Sequence, residues 1–178
     1  MNEHAILVTG LPASGKTTLG RRLAAELSWS CLDKDDFLEA LFESQGVGDE
    51  QWRRRLSIEA DKQFETTALE QTNTVLVSHW RPRGRTDTGT PADWVHRHFQ
   101  NTVEVYCECD PELAAHRFIS RTRHAGHLDK IKSEDAILAW MRDMAGCYPI
   151  GSASVVRVSA MSDISIHNVL DEIRQLGL

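Results

Sequence analysis

The stretch "GLPASGKTTL" (Gly10–Leu19) follows directly on the apolar run Ala5-Ile6-Leu7-Val8. Its spacing, Gly10, Gly15, Lys16 and Thr17, is G-x-x-x-x-G-K-[ST], and each position has a physical task. The glycines let the backbone turn its N–H groups inward around a phosphate, and the helix that follows adds partial positive charge at its first turn. Lys16 is placed to reach β- and γ-phosphates, and the Thr17 hydroxyl to ligate Mg²⁺. A buried strand before the loop and a helix after it, with Leu19, Leu23 and Leu27 at four-residue spacing, complete the required context. Gly10, Pro12, Ala13, Ser14, Gly15, Lys16, Thr17 and Thr18 are therefore the expected nucleotide-binding residues, with ATP and Mg²⁺ as the expected ligands.

Outward from this loop, short strand patterns alternate with longer helical ones. "AILV" (5–8), "TVLVS" (74–78) and "SVVRV" (154–158) are continuous apolar runs of the kind buried on both faces of a parallel sheet. "WSCL" (29–32) and "TVEVYCE" (102–108) add two strands, the latter alternating so that Glu104 and Glu108 are expected off the core face. Trp52, Leu56, Ala60, Phe64 and Ala68 mark a long helix, and Ile166, Val169, Leu170 and Ile173 a last one. This alternation predicts a three-layer α/β fold with a mostly parallel sheet, in one domain spanning 1–178. A net charge of −6 argues against a general nucleic-acid coat or membrane-surface role, and no apolar run approaches a membrane span. The N-terminus lacks a signal-peptide pattern, so a cytoplasmic protein is expected, as a monomer or a dimer. The four cysteines form no C-x-x-C pair and are expected to be reduced, with Cys107 and Cys109 on one face of a strand.

Three further groups bear on chemistry. Asp33 and Asp35 lie at the carboxyl end of the second strand, where ligands bind in open α/β sheets. One carboxylate there can accept an acceptor's proton while a neighbour, Asp33, holds metal-bound water. The competing reading is that Asp35 or Asp36 caps the following helix. In "ELAAHRFISRTRHAGHLDK" (112–130), Arg117 and Arg121 share a helical face and Arg123 follows, forks suited to phosphate oxygens. His127 and Asp129 are expected to touch substrate or hold that segment shut. The segment "HWRPRGRTDTGTPADW" (79–94) brings Arg81, Arg83 and Arg85 after the third strand, suggesting an acceptor with a carboxylate or phosphate.

"GLPASGKTTL", "LDKDDF", the strand "TVLVS" and the Arg-rich segment together resemble the P-loop kinase superfamily on its nucleoside-monophosphate-kinase side. "DKD" is similar to the Asp-x-Asp of shikimate kinases and "KDDF" to the motif of polynucleotide 5′-hydroxyl kinases; both carry the base role to Asp35. "RFISRTRHAGHLD" resembles the lids of kinases related to gluconate kinase, zeta toxins and chloramphenicol phosphotransferase. The resemblance implies a five-stranded sheet of order 2-3-1-4-5 with a helical lid at about 117–133. It also implies ATP-dependent transfer to a hydroxyl of a small metabolite or antibiotic-like acceptor, with Lys16, Asp33, Asp35, Arg117, Arg121 and Arg123 catalytic. A 5′-hydroxyl of nucleic acid is the alternative acceptor, weakened by Leu38 where the polynucleotide-kinase motif has arginine. Arg117, Ser159 and Ala160 are expected against the nucleotide, the last two bordering its base. Ser78 and His79 stand where many P-loop proteins keep a Walker B acid, so metal binding falls to Thr17 and Asp33. No N-K-x-D motif marks a GTP switch.

Overall fold

The computed structural model describes residues 2–86, 88–129, 133–160 and 164–178. Residues 130–132 of the expected lid and 161–163, which follow Ser159 and Ala160, lie outside these. The chain runs β1 (Asn2–Thr9), α1 (Lys16–Leu27), β2 (Ser30–Asp33), α2 (Lys34–Gln45), α3 (Glu50–Leu69), β3 (Asn73–Val77), α4 (Asp93–His98) and β4 (Phe99–Glu108). It continues through α5 (Pro111–Ser120), a 3₁₀ turn at Ala125–His127, α6 (Glu134–Ala145), β5 (Ser154–Ser159) and α7 (Ile166–Gln175). The sheet has the expected order, β2-β3-β1-β4-β5, with every pairing parallel. Among the described residues no helix is long and apolar enough to cross a membrane.

Strand alternation builds the layers. Ile6 and Val8 of β1 point to one face, where Leu19 and Leu23 of α1 and Val169 and Ile173 of α7 cover them. Ala5 and Leu7 point to the other, under Phe64 and Ala68 of α3 and Trp94 and Val95 of α4. Leu38, Leu41 and Phe42 of α2 pack on Leu56 and Ala60 of α3, while α5 and α6 share a cluster through Phe118, Ile137 and Met141. β1 thus lies central and covered on both sides, and the loop leaving its carboxyl end is held by rigid neighbours.

Two expectations about β4 are corrected. Glu104 is 0% exposed. It accepts hydrogen bonds from the Thr9 hydroxyl (2.7 Å) and the backbone N–H groups of Ile150 (2.8 Å) and Gly151 (2.9 Å). β4 is an interior strand, so even its alternate positions are covered, and the carboxylate survives there by being fully hydrogen-bonded. Cys107 and Cys109 do not share a face: β4 ends at Glu108, and the two thiols join different clusters, one toward α1 and α7, the other toward α5 and α6. All four cysteines are free thiols.

Candidate active site

The loop after β1 bends through positive φ at Gly10 (136°), Ala13 (61°) and Gly15 (104°). At Gly10 no side chain fits, since a Cβ would lie 2.5 Å from the Cys107 carbonyl oxygen. The Lys16 ammonium is buried and donates to the carbonyls of Gly10 (3.1 Å) and Leu11 (2.7 Å). Burial lowers its pKa to about 8, partly opposed by Asp35 and Asp33. Beside it opens a cavity of about 280 Å³ lined by Pro12, Ala13, Gly15, Lys16, Thr17, Thr18, Arg117 and Arg121. The backbone of the loop and two guanidinium groups thus face one space, which suits an anionic chain of phosphates. Ser159 and Ala160 close β5 next to the end of β4, where Ala160 donates its N–H to Glu108 O (2.8 Å); they do not line this cavity.

The carboxylate pair separates into two roles. Asp33, not Asp35 or Asp36, is the N-cap of α2: its Oδ1 accepts from Asp35 N (3.1 Å), and its Oδ2 accepts from the Thr17 hydroxyl (2.6 Å). Burial, with Asp35 nearby, raises the Asp33 pKa against the pull of those hydrogen bonds. Thr17 and Asp33 set two hard oxygen donors side by side at the phosphate cavity. Mg²⁺ uses one or two such ligands together with substrate phosphates, so the pair fits that ion. No group of three or more metal-binding side chains occurs among the described residues. Asp35, the second residue of α2, pairs its Oδ2 with Arg123. Burial would raise its pKa, but Arg123, His127, Lys34 and Lys16 together outweigh that and hold it low. Its side chain stays 50% exposed beside that ion pair. Asp36 is outside the site, in an exposed pair with Arg21 (3.6 Å).

Arg121 is the C-cap of α5 rather than a residue of that helix, yet its N–H still bonds the Arg117 carbonyl (3.1 Å) and both guanidiniums reach the cavity. Asp129 bridges Arg121 and Arg123, at 3.3 Å each, and Arg123 continues to Asp35. The same segment rests on α2. His124 stacks on Phe42 (5.2 Å between centroids) and its Nε2 lies 3.3 Å from Glu43. His127 meets Phe42 edge-on (5.4 Å) and bonds Glu39 at 2.8 Å. His127 and Asp129 therefore hold the segment against α2.

The segment after β3 corrects another expectation. Arg83 bonds the carbonyls of Cys147 and Gly146, through its backbone N–H (3.2 Å) and its Nη2 (3.5 Å), and Arg85 pairs with Asp143. Both are turned to α6 instead of the cleft. Sequence reasoning also missed several residues. Lys34 is buried, donates to the Ser57 hydroxyl (2.6 Å) and pairs with Asp61 (3.3 Å). Asp61 accepts from the Thr90 hydroxyl (2.7 Å), which bonds Ser78 (2.6 Å). His79 is held neutral, its pKa driven down to about 3 by burial and by Lys16 and Lys34.

A protein-family model described as an AAA domain matches residues 6–145. Among solved structures, a candidate kinase from Chloroflexus aurantiacus is similar over 98% of this chain and 95% of its own, with TM-score 0.73 and 24% identity. A shikimate kinase from Bacteroides thetaiotaomicron aligns over 97% of each chain, with TM-score 0.59 and 20% identity. A deoxyadenosine kinase from M. mycoides covers 96% of this chain and 97% of its own, with TM-score 0.59 and 13% identity. No curated protein matches the sequence. Four-fifths of the chain under one family model places the chain in the AAA domain family, and its 2-3-1-4-5 sheet and its likeness to these structures give it a fold of the P-loop kinase-like superfamily.

Proposed function

We propose that the protein is an ATP-dependent phosphotransferase that moves a γ-phosphoryl group to a hydroxyl of a small acceptor. The observation that carries this is the placement of a half-exposed carboxylate, Asp35, between the phosphate loop and the Arg-rich segment. A hydrolytic switch needs only a positioned water, whereas a carboxylate set between the loop and the Arg-rich segment suits the hydroxyl of a second substrate. Likeness to a shikimate kinase and a deoxyadenosine kinase supports the reading. In it, residues 1–178 act as one catalytic domain with 117–133 as lid.

Backbone N–H groups of residues 12–18 and Lys16 bind the phosphates, and Arg117 and Arg121 spread over the charge that develops during transfer. Mg²⁺, when bound, neutralises phosphate oxygens. Thr17 and Asp33 would hold it, the raised affinity of Asp33 for protons favouring metal as a replacement cation. Asp35 orients the acceptor hydroxyl and accepts its proton at Oδ1 as the new O–P bond forms. Its low pKa keeps it ionised at neutral pH, at the cost of basicity. The test is ATP consumption over a panel of hydroxylated metabolites, aminocyclitol and amphenicol antibiotics, and 5′-hydroxyl oligonucleotides. Acceptor-dependent ADP formation by wild type but not by Asp35→Asn is expected. ATP hydrolysis of equal rate with and without every acceptor would refute the reading.

A further inference from the structure

β2 and β3 end side by side. Asp33 lies opposite Val77 in their parallel register, so Lys34 and Ser78 leave the sheet at one level. Both are buried, and a bridge from α3 joins them. Lys34 Nζ donates to the Ser57 hydroxyl (2.6 Å) and pairs with Asp61 Oδ1 (3.3 Å). The same Oδ1 accepts from the Thr90 hydroxyl (2.7 Å). That bond uses the one hydroxyl proton of Thr90, so in its 2.6 Å contact with Ser78 the Ser78 hydroxyl donates. Ser57 and Asp61 stand four residues apart on α3 and share one face. The chain from Ser78 through Thr90 to Asp61 thus runs in one direction and ends on an ion pair.

The first turn of α2 shows what this chain holds. Successive helix residues are turned about 100° from one another. Asp33, the N-cap, bonds Thr17, and the next three residues each meet a different element: Lys34 meets α3, Asp35 meets Arg123, and Asp36 meets Arg21 of α1. The Lys34 side chain is 10% exposed, against 50% for Asp35 and 65% for Asp36. The buried, doubly bonded residue therefore fixes the azimuth of the turn, and its exposed neighbours follow. The buried apolar residues of α2 begin only at Leu38, and apolar contact is non-directional.

We propose that Lys34 and Asp61 are positioning residues: they set the direction of the Asp35 carboxylate by fastening the first turn of α2 to α3 and, through Thr90 and Ser78, to the end of β3. The part played toward an acceptor hydroxyl rests on the phosphotransferase reading, but the direction of Asp35 is measurable without turnover. A buried ion pair contributes little to stability once both charges are desolvated, whereas removing one partner strands the other. A neutral replacement of both partners should therefore keep the fold and lose the direction.

The experiment compares Lys34→Met, Asp61→Asn and the two combined. Each single change strands a buried charge and should lower the urea midpoint. The combined variant strands neither, keeps an amide oxygen for Thr90, and should unfold near the wild-type midpoint. Its kcat on an acceptor found in the panel should nevertheless fall tenfold or more, since misplacing a group by about 1 Å can cost 10²-fold. Calorimetric affinity for Mg²⁺ with a non-hydrolysable ATP analogue should be unchanged. Lys34→Arg, which keeps charge and donors, should retain part of kcat. The readout without an acceptor is a double-mutant cycle of Asp35→Asn and Arg123→Gln on the unfolding constant. Wild type should show a coupling of about two- to fivefold, ordinary for a partly exposed pair, and the combined variant about none. Wild-type kcat and coupling in a stable combined variant make the pair a structural fastening only and overturn the proposal. If that variant does not fold, Ser57→Ala carries the test: it removes one partner of Lys34 with both charges still paired, and unchanged kcat and coupling there overturn the proposal as well. Coupling lost in the combined variant, with no acceptor phosphorylated by wild type, upholds the positioning of Asp35 and refutes the phosphotransferase reading.

Discussion

Replacing Lys16 by Met should make the protein more stable and unable to bind nucleotide. A lysine whose pKa falls from 10.5 to about 8 on folding carries a cost of roughly 3 kcal/mol at neutral pH, at about 1.36 kcal/mol per pH unit. The unfolded chain binds the proton more tightly, so the penalty is fully present below pH 8 and vanishes as pH rises through 10.5. Met fills similar volume without it. The variant forfeits the two hydrogen bonds to Gly10 and Leu11, worth about 1 kcal/mol each. A net gain of about 1 kcal/mol remains, a Tm increase of about 2–4 °C for a chain of this size. The assay is thermal unfolding of both proteins at pH 7 and pH 10, with Mg·ATP calorimetry alongside. The gain should be present at pH 7 and shrink or reverse at pH 10, and ATP binding should be lost at both. A Tm at pH 7 lower than wild type, or a difference that does not depend on pH, refutes the reasoning that burial of this charge is what the fold tolerates for function.

Asp35→Asn should lower phosphoryl transfer by about 10²–10⁴-fold with ATP affinity kept, as loss of a positioned base does, while Asp36→Asn, in its exposed pair, should leave turnover near wild type. Arg121→Ala and Arg123→Ala should each cost about tenfold or more in kcat, and Arg→Lys should recover only part, since lysine lacks the planar fork; steady-state kinetics on an identified acceptor checks both. Gly126→Ala should loosen the segment that rests on α2, because its Cβ would lie 2.5 Å from the Phe42 ring, and faster proteolysis between residues 121 and 129 reads this out. Glu104→Ala should lower stability by about 3 kcal/mol by leaving the buried Thr9 hydroxyl and the Ile150 and Gly151 N–H groups without their acceptor, measured by urea unfolding.

The phosphate loop was legible because its chemistry is local: eight consecutive residues supply the backbone turn, the lysine and the hydroxyl. Sheet order was legible through the resemblance, parallel pairing through the alternation of strands and helices, and each strand through its apolar or alternating run. The helix α6 carries Ile137, Met141 and Met144 at helical spacing, a signal that passed unused. Glu104 was misplaced because alternation reports a face only where that face meets water, and the middle of β4, Val103–Cys107, is buried at every position while only its ends are exposed. Arg83 and Arg85 were placed by proximity in sequence to the cleft, but loop direction is set by the backbone bridge between Trp80 and Thr90, which no periodicity encodes. Lys34 and Asp61 were hidden because their meeting depends on α2 packing on α3. The one available clue was a polar stripe at 53, 57 and 61 running beside an apolar one.

The end of β3 explains how the site manages without an acid there. In this chain Asp33, from β2, is hydrogen-bonded to Thr17, so the carboxylate beside the loop hydroxyl comes from the neighbouring strand. Ser78 is left to bond Thr90, and through it Asp61 and Lys34. A carboxylate at 78 would face Asp61 across the Thr90 hydroxyl, and two buried like charges there would repel with only Lys34 to balance them. Serine keeps the link neutral. The same link ties the chain that carries His79 and Arg81 to the start of α2, where Asp33 and Asp35 sit. Moving the acid to β2 thus frees the end of β3 to serve the acceptor side of the cleft. Ser78→Asp should accordingly weaken acceptor binding and stability together, with no gain in affinity for Mg²⁺. Tighter Mg·ATP binding in Ser78→Asp would show instead that the position still faces the metal.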